Sequence, residues 1–125
     1  MKIFLTGGSG FIGTNLVTEL LRRGDTVLNF DSSAPRCAEQ AGLWKKGDLL
    51  DAGDLRQAMV DFAPDAVFHL AARADCDENT TVEEGYRANT DGAENFLSAV
   101  AATPSVARSH CRRWRCGRNG WPASG

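Results

Sequence analysis

A chain of 125 residues has room for one domain with a sizeable core and no room for two ordinary ones. With 42% hydrophobic and 24% charged residues its composition is that of a soluble globular protein, and a net charge of −2 gives no reason to expect a nucleic-acid partner. The average hides an asymmetry: nine Lys or Arg stand against sixteen Asp or Glu up to Pro104, and five Arg with no acid follow from Ser105 to Gly125. The four cysteines, Cys37, Cys76, Cys111 and Cys116, show no Cys-x-x-Cys pair, so no zinc or redox site is expected and the thiols read as reduced. No apolar run approaches a membrane span and the N-terminal run is too short for a signal peptide, which predicts a cytoplasmic protein without membrane or nucleic-acid partners.

In chain order, Ile3 to Thr6 reads as a short buried strand, broken by Gly7-Gly8-Ser9-Gly10. Phe11, Ile12, Leu16, Val17, Leu20 and Leu21 then recur at helical spacing, and Gly24 supplies the stop. Thr26 to Phe30 is a second strand ending at Asp31. Ser32 to Gly42 reads as a loop with one helical turn, and Leu43 to Lys46 as a weak third strand. A helix is predicted from about Ala52 to Phe62, with Pro64-Asp65 as the next turn. Ala66 to Leu70 is a fourth strand, nearly all apolar, as a strand covered on both faces should be. After a loop to about Asn79, a helix from about Val82 to Ala102 carries Phe96, Leu97 and Val100 on one side. This order predicts an α/β fold, a Rossmann-like parallel sheet with flanking helices over residues 1–104.

Gly7, Gly10 and Gly13 form Gly-x-x-Gly-x-x-Gly between a strand and a helix. The first glycine lets the chain turn off the strand, the second lets backbone approach a pyrophosphate, and the third lets the helix pack closely on the sheet. The helix N-terminus offers free N–H groups and partial positive charge to the phosphates. Asp31, eighteen positions after Gly13 at the end of the second strand, is placed to accept from both adenine-ribose hydroxyls and to repel a 2′-phosphate. That favours NAD over NADP, a preference that nearby Arg36 softens. The acidic residues Asp75, Asp77, Glu78, Glu83 and Glu84 fit no calcium loop and read as a solvated helix start, so no metal is expected.

Thr6-Gly7-Gly8-Ser9-Gly10-Phe11-Ile12-Gly13 resembles the fingerprint of the extended short-chain dehydrogenase/reductase family, the NAD-dependent nucleotide-sugar epimerases and dehydratases. Gly47-Asp48-Leu49, His69-Leu70-Ala71-Ala72 and Asn89-Thr90-Asp91-Gly92 resemble three later segments of that family, in its order and spacing, over residues 1 to about 104. The resemblance implies NAD as cofactor and a nucleotide sugar as substrate. It implies that Phe11 and Ile12 offer N–H groups to the pyrophosphate, that Asp48 bonds the adenine amine, and that Leu49 packs on the ring. Leu70, Ala71 and Ala72 would border the cofactor, and Asn89 would brace the fourth strand and its loop. Local readings stand beside these: Asp48 as a helix N-cap, His69 as a satisfied strand residue, and Tyr86 as helix packing.

The family's catalytic pattern does not continue. The resemblance calls for a Ser or Thr after a fifth strand and a Tyr-x-x-x-Lys pair, in which the Lys lowers the Tyr pKa for proton exchange. Tyr86 is the single tyrosine, Thr90 stands four positions on, and the lysines are Lys2, Lys45 and Lys46. Val106-Ala107-Arg108 starts as a fifth strand should. The rest, rich in Arg, Cys and Trp, reads as a GC-rich gene translated in a wrong frame, an aberrant and disordered tail at residues 105–125. A basic tail that binds nucleic acid or membrane is the competing reading. A sheet cut after about four strands leaves the fourth as an edge that invites self-association. Two functions remain open: a catalytically inactive NAD-binding portion of an epimerase or dehydratase, or a stand-alone dinucleotide-binding sensor or partner module.

Overall fold

The computed structural model describes residues 1–73 and 81–106, and of residues 82 and 85 the backbone alone. Four parallel strands, β1 (Lys2–Thr6), β2 (Thr26–Asp31), β3 (Trp44–Lys46) and β4 (Ala66–His69), lie in the order β3-β2-β1-β4. Three helices flank them: α1 (Phe11–Arg22), α2 (Ala52–Phe62) and α3 (Val82–Ala101). The chain winds outward from β1 to β3 and then returns to the other side of β1 for β4. Winding reverses between β1 and β4, and in such sheets a crevice opens above the strands' C-terminal ends at that point.

Alternation along the strands sorts side chains onto two faces. Phe4 and Phe30 point to one face and pack with Leu55, Ala58 and Met59 of α2 and Phe96 and Ala99 of α3. Ile3, Leu5 and Val27 point to the other and pack with Val17 and Leu20 of α1. The helix ends follow their local chemistry. α1 closes with Gly24 N–H donating to Leu21 O and Asp25 N–H to Leu20 O, the paired bonds of a glycine-terminated helix. Asp51 caps α2 by accepting from Asp54 N–H. Thr81 and Glu84 cap α3 reciprocally: Thr81 Oγ1 accepts from Glu84 N–H and donates to Glu84 Oε2.

Several expectations need correction. The loop before β3 ends in a 3₁₀ helix over Ala38–Leu43, so Leu43 belongs to that helix and not to the strand. Leu97 is exposed, because the α2-facing stripe of α3 runs through Phe96, Ala99 and Val100 and leaves Leu97 about 100° away. Among the described residues β4 is not covered on both faces. Val67 packs on the α2–α3 side, but Phe68, level with Leu5 in register, is 39% exposed beyond the α1-side core. Among the described residues β4 is an edge of the sheet. No fifth strand starts at Val106: residues 104–106 are helical and Val106 is buried. The readings for Asp75, Cys76, Asp77 and Glu78, and for the tail from Ala107 onward, lie outside the described residues.

Leu55 is fully buried where α2, α3 and the sheet meet. Leu55→Ala is expected to cost about 2–5 kcal/mol in urea unfolding, while Val60→Ala on the exposed side of α2 costs about 0.5 kcal/mol or less. Equal losses would contradict the assignment of the core face.

Candidate functional site

The site is built on the turn from β1 into α1. Gly7 has φ +77, a left-handed conformation that favours glycine, and a Cβ there would run into the Leu70–Ala71 backbone. A Cβ on Gly13 would strike Gly7 O and Gly8. The third glycine therefore seats the helix on the turn itself, and the expectation that it serves helix-to-sheet packing is corrected. Gly10 is different. Its φ is −75, and a Cβ there would meet only Gly7 O, at 3.4 Å. Gly10 occupies the N-cap of α1 and no side chain caps that end, so the first-turn N–H groups keep no side-chain acceptor.

Side chains of β2 hold this turn in place. Buried Asn29 accepts from Gly8 N–H at 3.0 Å and donates to Ser9 Oγ at 3.1 Å. Asp31 accepts from Ser9 N–H through Oδ2 at 3.0 Å and from Ser33 N–H through Oδ1 at 2.9 Å. Ser9 Oγ donates to Ser33 O at 2.7 Å, which ties the loop after β2 to the same turn.

The opposite wall is held from α3. Asn89 accepts from Arg73 N–H at 2.7 Å and donates to Arg73 O at 3.1 Å, fixing the backbone that follows Leu70, Ala71 and Ala72. Asn95 donates to Leu49 O at 2.9 Å, and Gly92 leaves room for the Leu49 side chain. Asp48 Oδ1 accepts from Leu50 N–H, so Asp48 closes a local turn and does not cap α2, the place taken by Asp51.

Between these walls lies a cleft of about 580 Å³, within the usual range of small-molecule sites. Of the residues singled out in the sequence, Gly7, Gly10, Asp31, Asp48, Leu49, Leu70, Ala71 and Ala72 line it. Phe11 and Ile12 begin α1 with exposed side chains, Gly13 lies beneath the turn, and Asn89 acts through Arg73. Tyr86 is 55% exposed on α3, which corrects its reading as a packing residue. Asn29, Ser9 and Asn95 also build the site, though no such role is expected of them from the sequence. Asn29 carries a usable signal, a polar side chain interrupting the apolar run Val27 to Phe30. Among the described residues no group of His, Cys, Asp and Glu could hold a metal ion, and no helix is long and apolar enough to cross a membrane.

The chemistry of the cleft fits a dinucleotide. An uncapped helix N-terminus suits a pyrophosphate, a carboxylate at the end of β2 suits a ribose diol, and an apolar wall of Leu49, Leu70, Ala71 and Ala72 suits flat rings. A parallel sheet with this turn at its point of reversal defines a dinucleotide-binding α/β protein. The model of the NAD dependent epimerase/dehydratase family matches residues 3–111, and the chain belongs to that family. It is 38% identical over 104 residues to a 3-beta-hydroxysteroid dehydrogenase of Mycolicibacterium neoaurum, covering 78% of this chain and 28% of the relative. It is 32% identical over 117 residues to dTDP-glucose 4,6-dehydratase of Neisseria meningitidis serogroup B, covering 81% and 32%. The crystal structure of UDP-glucose 4-epimerase from Brucella ovis in complex with NAD superposes with a TM-score of 0.71 at 33% identity, covering 83% of this chain and 33% of that one. The chain thus spans about a third or less of the relatives it matches.

His69 ends β4 beside the cleft. Its Nδ1 lies 2.7 Å from Thr6 Oγ1 and its ring stacks on Phe96 at 4.5 Å, so it is a satisfied residue joining β4 to β1 and α3. Burial lowers its pKa below the ordinary value of about 6.5. The unfolded chain therefore takes up the proton first as the pH falls. The stability His69 contributes is complete above about pH 6.5 and is lost as the pH drops from there through the lowered folded-state pKa. Urea midpoints should fall between pH 7.5 and 5.5, and His69→Asn should flatten that slope. An unchanged slope in the variant would contradict this role.

Proposed function

We propose that this chain is the NAD-holding portion of an epimerase or dehydratase, and that the Gly7–Gly13 turn carries the cofactor's pyrophosphate. Gly10 is the observation that supports the reading most. The fold demands glycine at Gly7 and Gly13, where a Cβ has no space, but at Gly10 both the dihedral and the space would accept a side chain. A bare backbone there leaves the helix N-terminus open to a ligand. Phe11 and Ile12 would receive the phosphates on backbone N–H groups, while the Gly10 N–H closes the turn onto Gly7 O and its missing side chain leaves the approach clear. Asp31, oriented by Ser9 and Ser33, keeps lone pairs for the adenine-ribose hydroxyls. Asp48 and Leu49 take the adenine, Leu70, Ala71 and Ala72 border the rest, and Asn89 holds that border through Arg73. Bound NAD supplies a hydride acceptor and, once reduced, a hydride donor.

The substrate reading is a nucleotide sugar, supported by likeness to a UDP-glucose 4-epimerase and a dTDP-glucose 4,6-dehydratase. The 38% identity to a hydroxysteroid dehydrogenase favours a steroid as the second reading. With one tyrosine, Tyr86, and no Tyr-x-x-x-Lys, residues 1–125 bind cofactor without turnover, in the cytoplasm and with reduced thiols.

Calorimetric titration should show saturable NAD binding and no hydride transfer with UDP- or dTDP-sugars. Gly10→Val should weaken NAD at least about tenfold while costing only about 1 kcal/mol of stability, the usual penalty of a poor N-cap. A Gly10→Val chain that binds NAD as tightly as the wild type would refute the pyrophosphate assignment.

A further inference from the structure

We propose that Trp44 is a positioning residue for the adenosine end of the cleft, its indole N–H setting the Asp31 carboxylate for a ribose diol. This rests on the dinucleotide reading above and adds to it a residue that stands behind the cleft lining. Trp44 opens β3 and is half-buried. Its indole Nε1–H is a donor with no acceptor role and needs a partner once out of water. It finds that partner across the sheet on β2, donating to Asp31 O at 2.9 Å. In register Trp44 faces Asn29, and Asp31 faces Lys46. The indole therefore reaches two residues along the strands, about 6.6 Å, to meet Asp31. Strand pairing alone does not make this bond.

Asp31 is held from two sides. Its carboxylate accepts from Ser9 N–H through Oδ2 and from Ser33 N–H through Oδ1, which fixes it against the glycine turn and the loop after β2. Its main-chain oxygen accepts from Trp44 Nε1–H and from Gly47 N–H at 3.2 Å, which fixes it against the segment that leads to Asp48 and Leu49. One carbonyl thus sets the spacing between the ribose carboxylate and the adenine segment. Gly47 comes this close because it has no Cβ, which would strike the Phe30 ring. β3 is only three residues long and pairs with β2 alone among the described residues, so its own ladder holds it weakly. Trp44 supplies the shorter of the two bonds on that carbonyl. A carboxylate that must meet two hydroxyls at once depends on such support, because small displacements spoil both contacts together. Trp44→Phe would keep an aromatic ring on β3 and remove only the N–H.

The test is calorimetric titration of the full chain with ADP and with 2′,3′-dideoxy-ADP, for the wild type, Trp44→Phe, Asp31→Ala and the double variant. The wild type should prefer ADP at least about tenfold, as hydrogen bonds to a charged group predict. Trp44→Phe should cut that preference about threefold or more, with ADP losing affinity and the dideoxy ligand nearly keeping it. Asp31→Ala should abolish the preference, and adding Trp44→Phe to it should change nothing further, because Trp44 acts through Asp31. Equal weakening of both ligands in Trp44→Phe, an unshifted preference, or a further shift in the double variant overturns the positioning role and leaves the cofactor reading standing. A wild type that binds ADP without preference, or does not bind it, overturns the ribose assignment and this proposal with it. One measurement needs no variant: the Trp44 indole N–H resonance should move more with saturating ADP than with saturating 2′,3′-dideoxy-ADP. Equal displacements overturn the proposal.

Discussion

The hydrogen bond from Gly8 N–H to Asn29 Oδ1 is the contact on which the site depends. It joins the turn after β1 to a strand residue twenty-one positions later, inside the protein, where an unpaired amide at either end would cost about 1–3 kcal/mol. It forms only because Gly8 has no Cβ, which would run into the Asn29 amide. The same amide donates to Ser9 Oγ, and Ser9 N–H and Oγ then engage Asp31 and Ser33. One buried side chain thus sets the path of the turn, the start of α1 and the aim of the carboxylate at the end of β2.

The rest of the fold supplies a second wall at the right distance from that turn. Parallel pairing of β1 with β4 brings Thr6 level with His69, so the chain leaves both strands at the same end of the sheet. α3 secures the far side through two asparagines, Asn89 on the backbone of Arg73 and Asn95 on that of Leu49. These bonds act on main chain, so the surfaces they present are made of backbone and small apolar side chains, the kind that let a flat, charged ligand approach closely.

The elements themselves were legible because their signals are local. The apolar run Ile3 to Leu5, the helical recurrence of Val17 and Leu20, and the Pro64-Asp65 turn each act within a few residues. Eight of the twelve residues picked out as cofactor contacts line one cleft for the same reason: glycine spacing and an acid at a strand end are short-range patterns. Long-range contacts were not legible. Nothing within three residues of Asn29 announces that its amide meets Gly8, and nothing near Asn95 points to Leu49. Leu97 and Phe68 misled because apolar character marks a core position only when a neighbouring element covers it. The family pattern places the start of a fifth strand at Val106, yet Val106 sits buried in a helical turn.

The central claim is that backbone N–H groups at the start of α1, held open by the Asn29 latch, receive the pyrophosphate. Amide-resolved NMR titration with NAD addresses it directly. The Phe11 and Ile12 amides should shift most and saturate together, and Asn29→Ala should diminish those shifts at equal NAD concentration. Binding that leaves these two amides in place while perturbing residues elsewhere would contradict that role.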